Sequence, residues 1–202
     1  MITSIFILLR IISSLPTRIG YWIGGSLGRI LFHVIKDRRK VCENNIETCF
    51  PKLADSEKSA IVRQHFINLG IGIVESSWAW FRPQRFIKQR VTIAGVECVE
   101  EARQRGHGIL LVGPHYTMAD LVAMIVVEAI GPLVITYRPQ NNRKLDCFIN
   151  AKRSRFGQLV DVRNLRQIRK QLSKGSTVWF SPDQDLGARG SVFAPFFAQE
   201  AC

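Results

Sequence analysis

The sequence predicts an α/β protein, a largely parallel sheet flanked by helices, with an N-terminal membrane-associated helical segment. Three observations lead there. Downstream of Val91-Thr92-Ile93, short apolar runs alternate with segments of helical length, the rhythm of strands joined by helical crossovers. Each run is followed by glycine, proline or charged residues that stop it. Residues 1–35, by contrast, are apolar and sparsely charged. They are read as membrane-anchoring or interfacial helices, and residues 36–202 as one α/β domain.

The N-terminal stretch divides into SIFILLRIISSL and IGYWIGGSLGRILFHVI around a Pro16-Thr17-Arg18 break. Arg10 and Arg29 interrupt the two pieces, and each is shorter than the ~20 apolar residues that span a bilayer. No basic residue precedes the first apolar run and no small-residue cleavage site follows it, which argues against a cleaved signal peptide. Membrane-embedded or interfacial helices remain, with a pair of ordinary buried helices as the alternative. Gly20, Gly24, Gly25 and Gly28 permit close helix contact, and Tyr21 and Trp22 suit a headgroup boundary. Lys36-Asp37-Arg38-Arg39-Lys40 then sets basic charge where the apolar segment ends, a placement that favours an anionic leaflet.

Asp55-Ser56 offers an N-cap for a helix that repeats Val62, Phe66, Leu69 and Ile73 at helical spacing and stops before Pro83. A helix is then expected over Val96 to Gln104 and a strand over 109–112, buried on both faces because ILLV has no polar gap. A helix after Asp120 closes near Gly131; strand Leu133 to Tyr137, helix Leu145 to Arg155 and strand Leu159 to Val162 follow. Asn164 and Gln167 make a capping box for a helix closed by Gly175, and Thr177 to Phe180 forms the next strand.

In such sheets ligands bind beyond the carboxyl ends of the strands. Four of those ends carry polar residues: His115 and Asp120, Tyr137-Arg138-Pro139, Asp161-Val162-Arg163, and Ser181-Pro182-Asp183-Gln184-Asp185. His115 and Asp120 stand out. On one continuous helix their spacing would turn the side chains roughly 140° apart, so they meet only if His115 precedes the helix. With Thr117 near the N-cap, Asp120 falls in the first turn and can fold back onto the imidazole. A carboxylate on one ring nitrogen fixes the tautomer and leaves the other to take a proton from a hydroxyl. The plainer alternative is that Asp120 completes a capping box with Thr117 and His115 is a satisfied polar strand end.

A formal charge of +12 implies an anionic partner, whether nucleic acid, acidic membrane surface or acidic protein. RNA binding would need exposed aromatics among basic residues, whereas the aromatics here lie in apolar runs, so nucleic acid is not expected. The five cysteines show no C-x-x-C spacing and suggest neither a zinc site nor a disulfide framework; no metal site, P-loop or G-x-G-x-x-G run is present, and no cofactor is expected.

The blocks RRKVCENNIETCFP, NLGIGIVESSWAWF, GILLVGPHYTMAD, YRPQNNRKLD, KRSRFG and VWFSPDQDLGARGSVFAPFFA resemble, over nearly the whole chain, the late acyltransferases of lipid A biosynthesis in Gram-negative bacteria. His-x-x-x-x-Asp/Glu alone is shared across glycerolipid acyltransferases; the tail block with YRP is specific. The resemblance implies a glycerolipid acyltransferase-like fold. It also implies acyl transfer from acyl carrier protein to a hydroxyacyl chain on a Kdo-bearing lipid A precursor, an anionic glycolipid, at the cytoplasmic face of the inner membrane. By motif position His115 is the general base and Asp120 its orienting carboxylate. Arg153 in KRSRFG matches a functionally important arginine, able to hold a phosphate or the developing oxyanion. Asp183 in SPDQD matches an important aspartate, a candidate partner for that arginine, and Arg138 in YRP is a further substrate-binding candidate. For these three the plain alternative is a structural salt bridge. The chain departs from the pattern in carrying Asp at 120, where lipid A enzymes commonly have Glu, and in stopping at Cys202, so the domain is expected to be incomplete at its C-terminus. An acyl-CoA-dependent glycolipid acyltransferase and a non-catalytic basic membrane-associated protein are the other readings.

Overall fold

A computed structural model describes residues 2–183, 192–197 and 199–201. The described residues pack as two compact units, one of residues 2–14 and 75–183, the other of residues 15–74, 192–197 and 199–201.

The first unit holds a parallel four-stranded sheet made of β1 (Ile109–Val112), β2 (Leu133–Tyr137), β3 (Gly157–Asp161) and β4 (Thr177–Phe180), in the order β1-β4-β2-β3. Its crossovers carry α7 (Ala119–Ile130), α8 (Arg143–Arg153) and α9 (Leu165–Leu172), and α6 (Val96–Gln104) precedes β1. The step from β1 to β2 to β3 runs one way along the sheet and the step from β3 to β4 runs back. Right-handed crossovers therefore assign α9 to the face opposite α7 and α8. On the α9 face Val134, Val160 and Val178 are buried against Ile168, with Leu172 packed at the margin. Burial of this order stabilises by about 1.5–3 kcal/mol per side chain.

The elements expected from sequence are present, with informative shifts. β1 was expected to be buried on both faces, yet Leu110 and Val112 are exposed while Ile109 and Leu111 are half-buried. The cause is strand order: among the described residues β1 lies at the sheet edge, and the α9 cluster covers the β2, β3 and β4 portion of that face. α8 begins two residues earlier than expected because the Asn142 side chain accepts hydrogen bonds from the Lys144 and Leu145 main-chain N–H groups, both at 3.1 Å. Asn164 does cap α9, accepting from the Gln167 N–H at 3.0 Å.

α1 (Ile2–Ser14) belongs to this unit. It turns Leu9 and Ser13 inward, seats Phe6 against Phe148 and Trp80, and leaves Ile5, Ile7, Leu8 and Ile11 exposed. No helix among the described residues is long and apolar enough to cross a membrane.

The second unit contains α2 (Thr17–Val34), α3 (Lys36–Cys49) and the larger part of α4 (Asp55–Phe81). α2 and α4 touch main chain to main chain. A Cβ at Gly24 would lie 2.8 Å from Ile71 Cα, one at Gly28 would strike the Phe66 carbonyl, and one at Gly70 would strike Gly24 and Gly28. Gly24-x-x-x-Gly28 thus acts as a small-residue seam, and any larger side chain there would force the helices apart. One turn along, Phe32 meets the buried Phe66 edge to face at 5.6 Å.

Candidate active site

Strand register brings the site together. Val112 of β1 is paired with Phe180 of β4, and each chain runs on through three more residues, Gly113-Pro114-His115 and Ser181-Pro182-Asp183. Equal offsets from neighbouring parallel strands deliver His115 and Asp183 to the same level above the sheet. Both tripeptides carry proline in the middle, which fixes φ and keeps the chain from entering a helix at once. Gly113 permits the approach of the Trp179 ring, since a Cβ there would sit 2.8 Å from Trp179 Cζ2; the indole N–H in turn donates to Ser181 Oγ at 3.1 Å.

Asp183 grips His115 twice. Its Oδ1 lies 2.6 Å from the imidazole Nδ1, and its Oδ2 accepts the His115 main-chain N–H at 2.7 Å. Partial burial pushes the Asp183 carboxyl up, but the hydrogen bonds from the His115 main chain and ring, with the attraction of the imidazole, outweigh it and hold the carboxyl below its ordinary value. The pair is open, with side-chain exposures of 46% for His115 and 37% for Asp183. Nδ1 being engaged, Nε2 is the nitrogen left for chemistry.

Asp120 lies elsewhere in the bonding pattern. The sequence reading made it the carboxylate that steadies His115 and left Asp183 to Arg153; the structure exchanges the partners. Arg153 Nε donates to Asp120 Oδ1 at 2.6 Å and its Nη2 approaches Oδ2 at 3.4 Å. The physical reason is where α7 begins. Its N-cap position is Met118, without a side-chain cap bond, so neither Thr117 nor a Thr117-Asp120 box starts the helix. Asp120 then sits in the first turn, buried to 8% side-chain exposure, and its charge is matched by the last residue of α8.

Arg138, just beyond β2, is exposed, and its side chain has no charge partner among the described residues. Asp161 and Arg163, at the end of β3, form their own ion pair at 2.6 Å, and the Arg163 guanidinium lowers the Asp161 carboxyl to about 2. Gln184, Asp185 and Cys202 lie outside the described residues.

What sequence reasoning missed is the contact of Asp183 with His115. A signal was present in the repeated ending, Val-Gly-Pro-His and Phe-Ser-Pro-Asp, but it becomes useful only once β1 and β4 are known to be neighbours.

Chemically, the open pair is a histidine whose tautomer is set by a carboxylate, suited to taking a proton from a hydroxyl. Comparison with known proteins places the chain in a family. The family described as bacterial lipid A biosynthesis acyltransferase matches residues 2–202. The chain is 33% identical over 187 residues to the lipid A biosynthesis palmitoleoyltransferase of Escherichia coli (strain K12), covering 92% of this chain and 61% of that protein. It is 34% identical over 196 residues to the lauroyltransferase of the same organism, covering 95% and 63%, and 28% identical over 174 residues to its myristoyltransferase, covering 85% and 54%. The chain therefore spans about three-fifths of the length of these relatives, and it belongs to the bacterial lipid A biosynthesis acyltransferase family.

Proposed function

We propose that the full-length protein transfers a fatty acyl group from acyl carrier protein to a hydroxyacyl chain of a Kdo-bearing lipid A precursor, with His115 as general base. The observation that carries this is the doubly held, open imidazole: Asp183 occupies Nδ1 and the main-chain N–H, leaving Nε2 free. In the reaction Nε2 takes the proton of the acceptor hydroxyl as its oxygen attacks the thioester carbonyl. The C–O bond forms, the C–S bond breaks, and the proton returns to the departing thiol.

Asp183, rather than Asp120, holds the imidazole in its working tautomer. Asp120 is a positioning residue that acts through Arg153: it engages Nε and Nη2, and leaves Nη1 available to a phosphate or the developing oxyanion. Arg138 is a further contact for the anionic acceptor. Acyl carrier proteins are acidic and the acceptor is phosphorylated, so both are drawn to a chain of charge +12. The exposed apolar face of α1 supports attachment to a membrane; the cytoplasmic side of the inner membrane is the side that goes with a carrier-protein donor.

Incubating the full-length protein with the Kdo-bearing precursor and either an acyl carrier protein thioester or acyl-CoA tests this by mass spectrometry. The expected product is heavier by one fatty acyl group, formed from the carrier-protein donor. Product from acyl-CoA alone would favour the other acyltransferase reading, and no product from either donor would remove both.

A further inference from the structure

The helical unit contains a groove that the chemistry of His115 does not use. Arg29, Phe32 and His33 of α2 face Arg63 and Ile67 of α4 across a cavity of about 410 Å³. Its walls are fixed by the glycine seam, since Gly28 rests on Phe66 and Ile67, one turn from Arg63. Arg29 lies along this seam, its Nη1 being 3.6 Å from where a Cβ on Gly25 would stand. Among the described residues no carboxylate comes within ion-pair distance of Arg29, His33 or Arg63. The adjoining cleft, which shares Phe32 and Arg63, also contains Glu43, Glu47 and Asp55, but there Arg39 pairs with Glu43 and Lys58 with Glu47. Cations are matched on one side of Arg63 and unmatched on the other.

The surroundings say what kind of anion fits. Ile19, Trp22, Ile30 and Val34 recur along one outer side of α2 and are all exposed, Trp22 at 71%. Arg29 sits between that apolar stripe and the glycine seam, and His33, one turn on, lines the same groove at the stripe's margin. An apolar stripe bordered by unmatched cations is the arrangement that meets acyl chains and headgroup phosphates together.

We infer that this groove binds the phosphate of an anionic membrane lipid, with Arg29 and Arg63 as the charged jaws and Phe32 and Ile67 as the apolar floor. The site stands apart from the reading of His115 and survives or fails independently of it. It gives α2 a preferred depth and rotation at the membrane surface, which apolar contact alone does not set.

The test is co-sedimentation of the intact chain with vesicles of phosphatidylglycerol in phosphatidylcholine. An R29Q/R63Q variant is compared with a K170Q/K174Q variant that removes the same charge from exposed positions near α9. Each arginine at a charged lipid surface is worth about fivefold in affinity. The arginine pair should therefore lose about twentyfold and the lysine control less than twofold, with unchanged helical circular dichroism, because the two arginines carry no internal ion pair to break. Equal losses in the two variants, or none in the first, would overturn the site. Inorganic phosphate, compared with chloride at matched ionic strength, should displace little protein, since it brings no acyl chains to Trp22 and Ile30. Complete displacement would overturn the lipid as its source. Retained vesicle binding with lost binding to an acidic carrier protein would assign the groove to a protein instead.

Discussion

Two of the acid–base pairs in the sheet-bearing unit differ in one respect. His115 and Asp183 are open, at 46% and 37% side-chain exposure, whereas Asp120 and Arg153 are closed, at 8% and 27%. An open pair exchanges protons with a substrate and is individually weak in holding a fold together. A closed one is a fixed arrangement of charge whose loss of either member strands the other. The His-x-x-x-x-Asp spacing joins one residue from each pair, so the motif read along the chain spans two different environments.

The largest effect that can break this contrast is on turnover. In the full-length protein His115→Ala should lower acyl transfer by at least ~1000-fold, and Asp183→Asn by ~100-fold, since the amide leaves the wrong tautomer or a loose ring. Thermal unfolding should move little in either variant. Asp183→Asn with near wild-type turnover would remove it from the dyad and return the orienting role to Asp120.

Asp120→Ala should act first on stability. Removing the buried carboxylate leaves Arg153 partly buried without its partner, at a cost of about 3 kcal/mol measured by chemical denaturation. A normal denaturation midpoint combined with lost turnover would instead place Asp120 at the reacting atoms.

The smallest effect sharpens the picture. The Asp183 carboxyl is held below its ordinary value of 3.8, so its pairing with His115 is complete above that value and disappears as pH falls through the lowered one. A ¹³C carboxyl titration should place its midpoint below 3.8 and show it rising in His115→Ala. A midpoint at or above 3.8 in the unmodified chain would mean the two hydrogen bonds do not persist in solution.

The strands and most helices were legible because their signals are local. Leu133 to Tyr137 and Thr177 to Phe180 read as strands from composition and stops, and the Asn164 cap from four consecutive residues. Strand order was not legible, because nothing local says that β4 inserts between β1 and β2. Two misreadings followed from that one gap. β1 reads as buried on both faces but among the described residues is an edge with one exposed face, and Asp183 reads as a candidate partner of Arg153 but its strand neighbours that of His115. His115, Asp120, Arg153 and Asp183 could each be named from the chain alone; which acid meets which base depended on pairing at a distance of 68 residues for one and 33 for the other.

The matched tripeptides beyond β1 and β4 have an engineering consequence. Sliding one strand by a single residue would carry its end about 3.3 Å along and turn the opposite face outward, separating acid from imidazole even with every side chain intact. Under the proposed mechanism, turnover of the full-length protein is a sensitive gauge of how those two strands are seated, and alterations to buried residues under the sheet are expected to register first as lost turnover.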